Sequence, residues 1–335
     1  MSNPVPVSIL DLAHVPDGGT VADAVEKSKA IAQTADKHGY QRLWLAEHHG
    51  MRGVASAATA VMLAGIGNVT KRIRIGSGGV MLPNHPPLVI AEQYGTLAAL
   101  FGDRIDIGLG RAPGTDMLTA RALRRDPLTA DTYADDVAEL QHYLSDDDGS
   151  ANVVAVPGAG SNIPLWLLGS SLYSAKLAGQ MGLPYSFASH FAPDMLFDAI
   201  SVYKASFRPS AQLREPYISA GVMAVVGDSD AHARHLATSV QQQFANLRRN
   251  ANRPMPAPVD DIRNVLSDME IRGIEQTLRY AAIGSKSTVE NTLHRFIKAT
   301  GVNELILSFP IHDGEACLSA IKAVSTMGSV FEKQC

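Results

Sequence analysis

Four short runs hold side chains able to do chemistry. Glu47-His48-His49 joins a carboxylate to two imidazoles. An imidazole changes charge near neutral pH, so one facing a pocket serves as a proton donor or acceptor while its neighbour hydrogen-bonds into the framework. Consecutive side chains diverge, so a metal bound here needs a further donor from His85, His190 or His312, and no metal is assigned. Gly169-Ser170-Ser171 ends a β-type stretch in glycine and hydroxyls and opens a helical run that holds Ser174. Free backbone N–H groups, serine donors and the positive end of a helix dipole form an anion site, with phosphate its commonest occupant; the same serines would serve as N-caps. Arg111 leaves the neighbouring β-type run, and its planar guanidinium can fork onto phosphate oxygens. Gly78-Gly79 interrupts another such run. Paired glycines mark a bulge or a close approach of backbone to a ligand such as a flat ring.

These runs need a scaffold that brings separate strand ends together. Short β-type runs cover residues 5–10, 42–46, 73–78, 105–110, 165–169, 185–188, 218–226 and 304–308. Helical runs cover 21–37, 55–68, 88–101, 130–144, 174–181, 195–207, 231–249 and 314–327. This alternation predicts an α/β fold with a parallel sheet and helical crossovers, and eight units favour a (β/α)8 TIM barrel as a single domain over 1–335. No Gly-x-Gly-x-x-Gly turn follows the first strand, which counts against an open dinucleotide fold. All four chemical runs then lie at or just after a strand's C-terminal end, the catalytic face of a barrel. Residues 250–283 break the rhythm, beginning with Pro254, Pro256 and Pro258. They are expected as an insertion at that face, acting as a lid. The helical run 55–68, ASAATAVMLAGIGN, is small or apolar all round, which predicts a homodimer through it and the run 88–100.

Composition narrows the function. The chain has 335 residues, 46% hydrophobic and 19% charged, so it can bury a large core. A formal net charge of −4 with no basic block argues against a nucleic-acid partner. No apolar run reaches the roughly 18–20 residues of a membrane span, and no secretory leader is visible at the N-terminus. Cys317 and Cys335 form no disulfide framework, so a cytoplasmic location is expected. No lysine stands at a strand end, which removes Schiff-base chemistry. Asp11, Glu47 and Asp313 are the only carboxylates there, too few for a two-carboxylate glycosidase or a divalent-metal hydrolase.

Taken together, four segments resemble the luciferase-like, flavin-utilising monooxygenases. They are Leu43-Trp44-Leu45-Ala46-Glu47-His48-His49, residues 76–86 (GSGGVMLPNHP), residues 102–111 (GDRIDIGLGR) and Trp166-Leu167-Leu168-Gly169-Ser170-Ser171. The resemblance implies a TIM barrel, usually dimeric through its second and third helices. It implies that His48 is the active-site histidine and that Gly78-Gly79 carries a non-prolyl cis peptide beneath an isoalloxazine ring. It assigns Arg111, Gly169, Ser170, Ser171 and Ser174 to the flavin phosphate. The implied cofactor is FMN, delivered as FMNH2 by a separate flavin reductase, reacting with O2 to a C4a-(hydro)peroxyflavin that oxygenates a small organic substrate. Two alternatives share the fold: F420-dependent hydride transfer and non-catalytic flavin binding. Gly110 stands where the light-emitting α subunits carry a reactive cysteine, and Ala112-Pro113-Gly114 also departs from the family pattern, so light emission is not expected. Met81, Phe191, Phe309 and the 250–283 insertion are candidate substrate-lining elements.

Overall fold

A computed structural model describes residues 4–111, 116–125, 132–147, 149–150 and 152–332. Ala112-Pro113-Gly114 and the start of the expected 130–144 helix lie outside them. In chain order the first half runs β1 (Val5–Asp11), α1 (Val21–His38), β2 (Arg42–Leu45), α2 (Thr59–Val69), β3 (Arg74–Met81), α3 (Pro87–Phe101), β4 (Ile105–Gly110), α4 (Met117–Ala122) and α5 (Tyr133–Leu144). The second runs β5 (Leu165–Gly169), α6 (Leu172–Met181), β6 (Tyr185–Phe187), α7 (Leu196–Ser206), β7 (Ile218–Val226), α8 (Asp230–Arg248), α9 (Asp268–Thr277), β8 (Ala282–Gly284), α10 (Lys286–Thr300), β9 (Glu304–Ser308), α11 (Gly314–Val324) and β10 (Phe331–Glu332).

Strands β1 to β7 pair in sequence order, and β9 pairs with both β7 and β1, all parallel. Eight strands therefore close on themselves as a (β/α)8 TIM barrel, as the alternation predicts. The two short extra strands lengthen this wall: β8 pairs the upper end of β7 and β10 the lower end of β1. Their helices cover the outside, so most strand residues are buried on both faces; all nine residues of β7 are.

Side chains inside the barrel stack in layers. At the N-terminal end, Arg42 reaches Asp106 at 2.6 Å and Glu304 at 2.8 Å, while Arg74 reaches Asp106 at 2.7 Å. The hydroxyls of Ser8 and Tyr217 donate to Glu304. Above this plug Trp44 and Trp166 meet edge to face at 5.1 Å, packed with Leu10 and Ile306. That layer is the floor of the C-terminal mouth.

Several boundaries differ from the sequence reading. Helix α2 begins at Thr59 rather than 55, because residues 55–58 are held as a turn: Ser56 donates its hydroxyl to Leu12 O, and its own carbonyl accepts from His48 N. The insertion also carries more structure than a bare lid. Met255 exchanges backbone hydrogen bonds with Val15 and Asp17, and Asn252 bonds Gly50 and Arg52. This strap crosses the loops that follow β1 and β2. Farther along, Leu266, Ile274 and Leu278 pack with Val240 and Ala245 of α8 as a satellite core that includes α9. Helix α10, whose polar run KSTVEN opens an amphipathic pattern, adds to the alternation read from the sequence. Among the described residues no helix is long and apolar enough to cross a membrane.

Candidate active site

The mouth is built from the ends of the barrel strands. At the end of β3 the Gly78–Gly79 peptide is cis, and the pairing with β4 slips there between Gly78 and Val80. Side chains are barred from both positions. A Cβ on Gly78 would stand 2.8 Å from Leu10 Cδ1 and 2.9 Å from Trp44 Cβ; one on Gly79 would stand 2.6 Å from Gly108 O. The sequence thus leaves bare backbone above the tryptophan floor, which suits a flat ring laid against the strand.

Two strands along, after β5, Gly169 and the serines start α6. Ser171 is the N-cap residue, yet its side chain makes no capping hydrogen bond. The Ser171 side chain thus does not take up the N–H groups at the helix start. Gly169 is required for this geometry, since a Cβ would meet Ser174 Oγ at 2.2 Å. Ser174 itself is buried; its hydroxyl donates to Ser171 O at 3.0 Å and lies 3.3 Å from the Tyr185 hydroxyl. It braces the turn from below, while Ser170 and Ser171 remain half-buried at its surface. Arg111, exposed at the end of β4, lies with its guanidinium 4.4 Å over the ring of Tyr173 in the first turn of α6. That stacking brings the cation to the serine turn.

The β2 end supplies the imidazoles. His48 Nδ1 is buried without a hydrogen-bond partner, and so is Nδ1 of His190 after β6. Burial lowers the His48 pKa below its ordinary value; Glu47 opposes this and His49 adds to it. Burial pushes His190 down to about 4, with His48 contributing. His14, three residues beyond β1, is likewise pushed down to about 4 by burial, Lys27 and His48. The mouth thus gathers imidazoles that stay neutral at neutral pH, able to donate from one ring nitrogen and accept at the other. The sequence reading named His190 only as a spare metal donor and missed His14; a histidine three residues past a strand end was the available signal.

Glu47 and His49 point into the framework, together with His85. Both ring Nε2 atoms lie 2.7 Å from Glu47 Oε1, and Met81 N donates to Glu47 Oε2 at 3.3 Å. Burial raises the Glu47 pKa, but the hydrogen bonds and charges of His85 and His49 outweigh it and hold the carboxyl below its ordinary value. Asp11, by contrast, is raised by burial and tied to Ser28 and to Ala13 N, a brace between β1 and α1. Cys317 is buried, and that burial pushes its thiol up to about 12, so it is inert. Among the candidate lining residues Phe191 is exposed and Met81 half-buried, whereas Phe309 is packed into the main core.

Comparison with known proteins points the same way. The family model for luciferase-like monooxygenases matches residues 5–304. A "Luciferase-like monooxygenase" of Escherichia coli strain K12 is 46% identical, over 94% of either chain. The crystal structure of apo-MsnO8 superposes with a TM-score of 0.85 at 30% identity, covering 96% of this chain and 98% of that one. At 14% identity, the FMN-bound oxygenating constituent of 3,6-diketocamphane monooxygenase from Pseudomonas putida shares the fold, with a TM-score of 0.69 and 99% and 100% coverage. With a closed barrel, a glycine platform and a serine turn in the expected order, the chain belongs to the luciferase-like monooxygenase family and is a flavin-dependent oxidoreductase.

Proposed function

We propose that this enzyme binds FMN across the barrel mouth and, with the flavin reduced by a separate reductase, uses O2 to oxygenate a small organic substrate. The observation that carries the reading is the pairing of two features on one rim. An uncapped, serine-lined helix start lies beside Arg111, and the bare Gly78–Gly79 backbone shares the mouth with the unpartnered His48. Reduced FMN, when bound, supplies the electrons that activate O2. The chain does the rest. Ser170, Ser171, the first N–H groups of α6 and Arg111 bind the phosphate, with Gly169 and Ser174 shaping the turn. Gly78 and Gly79 admit the ring to the strand. His48 holds or moves a proton at Nδ1 beside the reacting face. The strap over the β1 and β2 loops shields the mouth from water as a lid.

The test is a side-by-side titration of FMN and F420, followed by turnover with reduced FMN and O2. FMN should bind the tighter, and Arg111→Ala should weaken it by about 10–100-fold, the worth of a hydrogen bond to a charged group. Tighter F420 binding would replace the reading with hydride transfer. FMN binding without any O2-dependent product from reduced flavin would make the chain a flavin-binding protein only.

The same reading includes a homodimer through α2 and α3. Val61 on α2 and Leu100 on α3 are 73% and 62% exposed, apolar surface that a partner copy would cover. Light scattering should give twice the chain mass, falling to one chain mass when both are changed to Asp; a wild-type monomer at micromolar concentration would refute it.

A further inference from the structure

We propose that Glu47, His49 and His85 form a binding site for one divalent first-row transition ion, of the zinc class, on the rim of the barrel mouth. The three donor atoms all lie within 4.8 Å of one another. Two imidazole nitrogens and one carboxylate oxygen are a donor set suited to such ions, which take nitrogen and oxygen ligands at about 2.0–2.2 Å.

Three features make this a converging site. Both Nε2 atoms aim at the same oxygen, Oε1, each at 2.7 Å, rather than being shared between the two carboxylate oxygens. Oε2 is separately held by Met81 N. The depth is also graded: the Glu47 side chain is 3% exposed, while those of His49 and His85 are 15% and 25% exposed. An ion can therefore enter from solvent between the two rings and meet a fixed anionic base. Finally, the donors come from two strand ends, with Glu47 and His49 after β2 and His85 after β3, so the barrel itself sets their spacing.

Without an ion, each ring meets the carboxylate through an Nε2–H. With one, each ring presents its Nε2 lone pair and carries its proton at Nδ1. Tetrahedral donors around a zinc-class ion stand about 3.3 Å apart, so each Nε2 must draw back from Oε1 by about half an ångström, a shift open to side chains that are 15% and 25% exposed. Three protein donors leave a position for water or for an anionic group of a ligand in the mouth. The two residues flanking His48 would then be ion ligands, so occupancy would fix the backbone that carries it.

The test uses the full-length protein, stripped with a chelator and titrated with Zn2+ by calorimetry and with Co2+ by visible absorption. One equivalent per chain is expected, with the d–d bands of a tetrahedral or five-coordinate ion. His85→Ala and His49→Ala should each weaken binding by more than about a hundredfold, exceeding what the loss of an outer-shell partner costs. His48→Ala should retain the site. Exposed His232 and half-buried His235, near Asp228 and Asp260, are competing surface ligands. Loss of binding in His232→Ala instead of His85→Ala would overturn the assignment. So would failure to saturate at one equivalent, or wild-type affinity in both site variants. Circular dichroism on His85→Ala, a rim residue, separates loss of the site from loss of the fold.

Discussion

The two ends of the barrel bury polar groups in opposite ways. At the N-terminal end Arg42, Arg74, Asp106 and Glu304 form a closed network in which every charge has an opposite charge within 2.8 Å. Burial lowers the Arg42 pKa, but the charges of Glu304 and Asp106 outweigh it and raise it above its ordinary value. At the C-terminal end His48 and His190 each leave a buried ring nitrogen without a partner, as do Ser308 Oγ and His312 Nε2. Buried polar groups left unpaired cost stability, so several at one place call for an explanation, and a bound ligand is one. At the lower end every charge is paired within the fold and a hydroxyl, Ser219 Oγ, is left without a partner; at the upper end it is imidazole nitrogens that are left. Stability should therefore be sensitive at the bottom and activity at the top.

The largest effect that would break this contrast is on turnover. His48→Ala should lower the oxygenation rate by about 10²–10⁴-fold, the usual share of a positioned proton donor or acceptor, with FMN affinity nearly unchanged. Single-turnover oxygenation at the wild-type rate would remove His48 from the chemistry. At the other end, Asp106→Ala takes away the carboxylate that Arg74 pairs with and one of the two that hold Arg42, leaving Arg42 on Glu304 alone, and should cost about 3–5 kcal/mol in denaturant unfolding. Turnover per folded molecule should hold; a stability loss below about 1 kcal/mol would mean that the plug is not a closed network.

A smaller effect concerns acid. The folded-state pKa values of His14 and His190 are depressed to about 4, below the unfolded value near 6.5. In that window the unfolded chain binds more protons, so stability is full above pH 6.5 and falls as pH drops toward 4. A double variant, His14→Gln with His190→Gln, should flatten that slope in thermal unfolding scans between pH 7 and 4. An unchanged slope would place the acid sensitivity elsewhere.

How much of this was legible depended on whether the signal was local. Gly78-Gly79 and Gly169-Ser170-Ser171 announce themselves because a missing side chain or a run of hydroxyls is a property of neighbours. The eight strand runs are legible for the same reason, since each is a short apolar stretch cut off by glycine, proline or polar residues. The N-terminal plug was not, because Arg42, Asp106 and Glu304 look like ordinary charges near strand starts until closure of the barrel brings β2, β4 and β9 to one centre. Helix α9 was hidden behind the prolines at 254–258. At 55–58 Ala-Ser-Ala-Ala has helical propensity, which tertiary hydrogen bonds to Leu12 and His48 override to leave a turn.

The Glu47-His48-His49 run shows both sides of that division. Its residue types already determined that acid–base chemistry belonged at the end of β2. The expectation that consecutive side chains diverge holds for 47 and 48; His49, two residues from Glu47, returns to the same side. Which histidine is tied down and which is left open was decided only in three dimensions. His85, brought in from the end of β3, meets Glu47 and His49, and burial leaves His48 Nδ1 unpartnered. Spacing along the chain dictates local shape and the order of strands. Contacts between strands far apart in sequence arise only when the sheet closes, and they settle which polar groups are satisfied and which await a ligand.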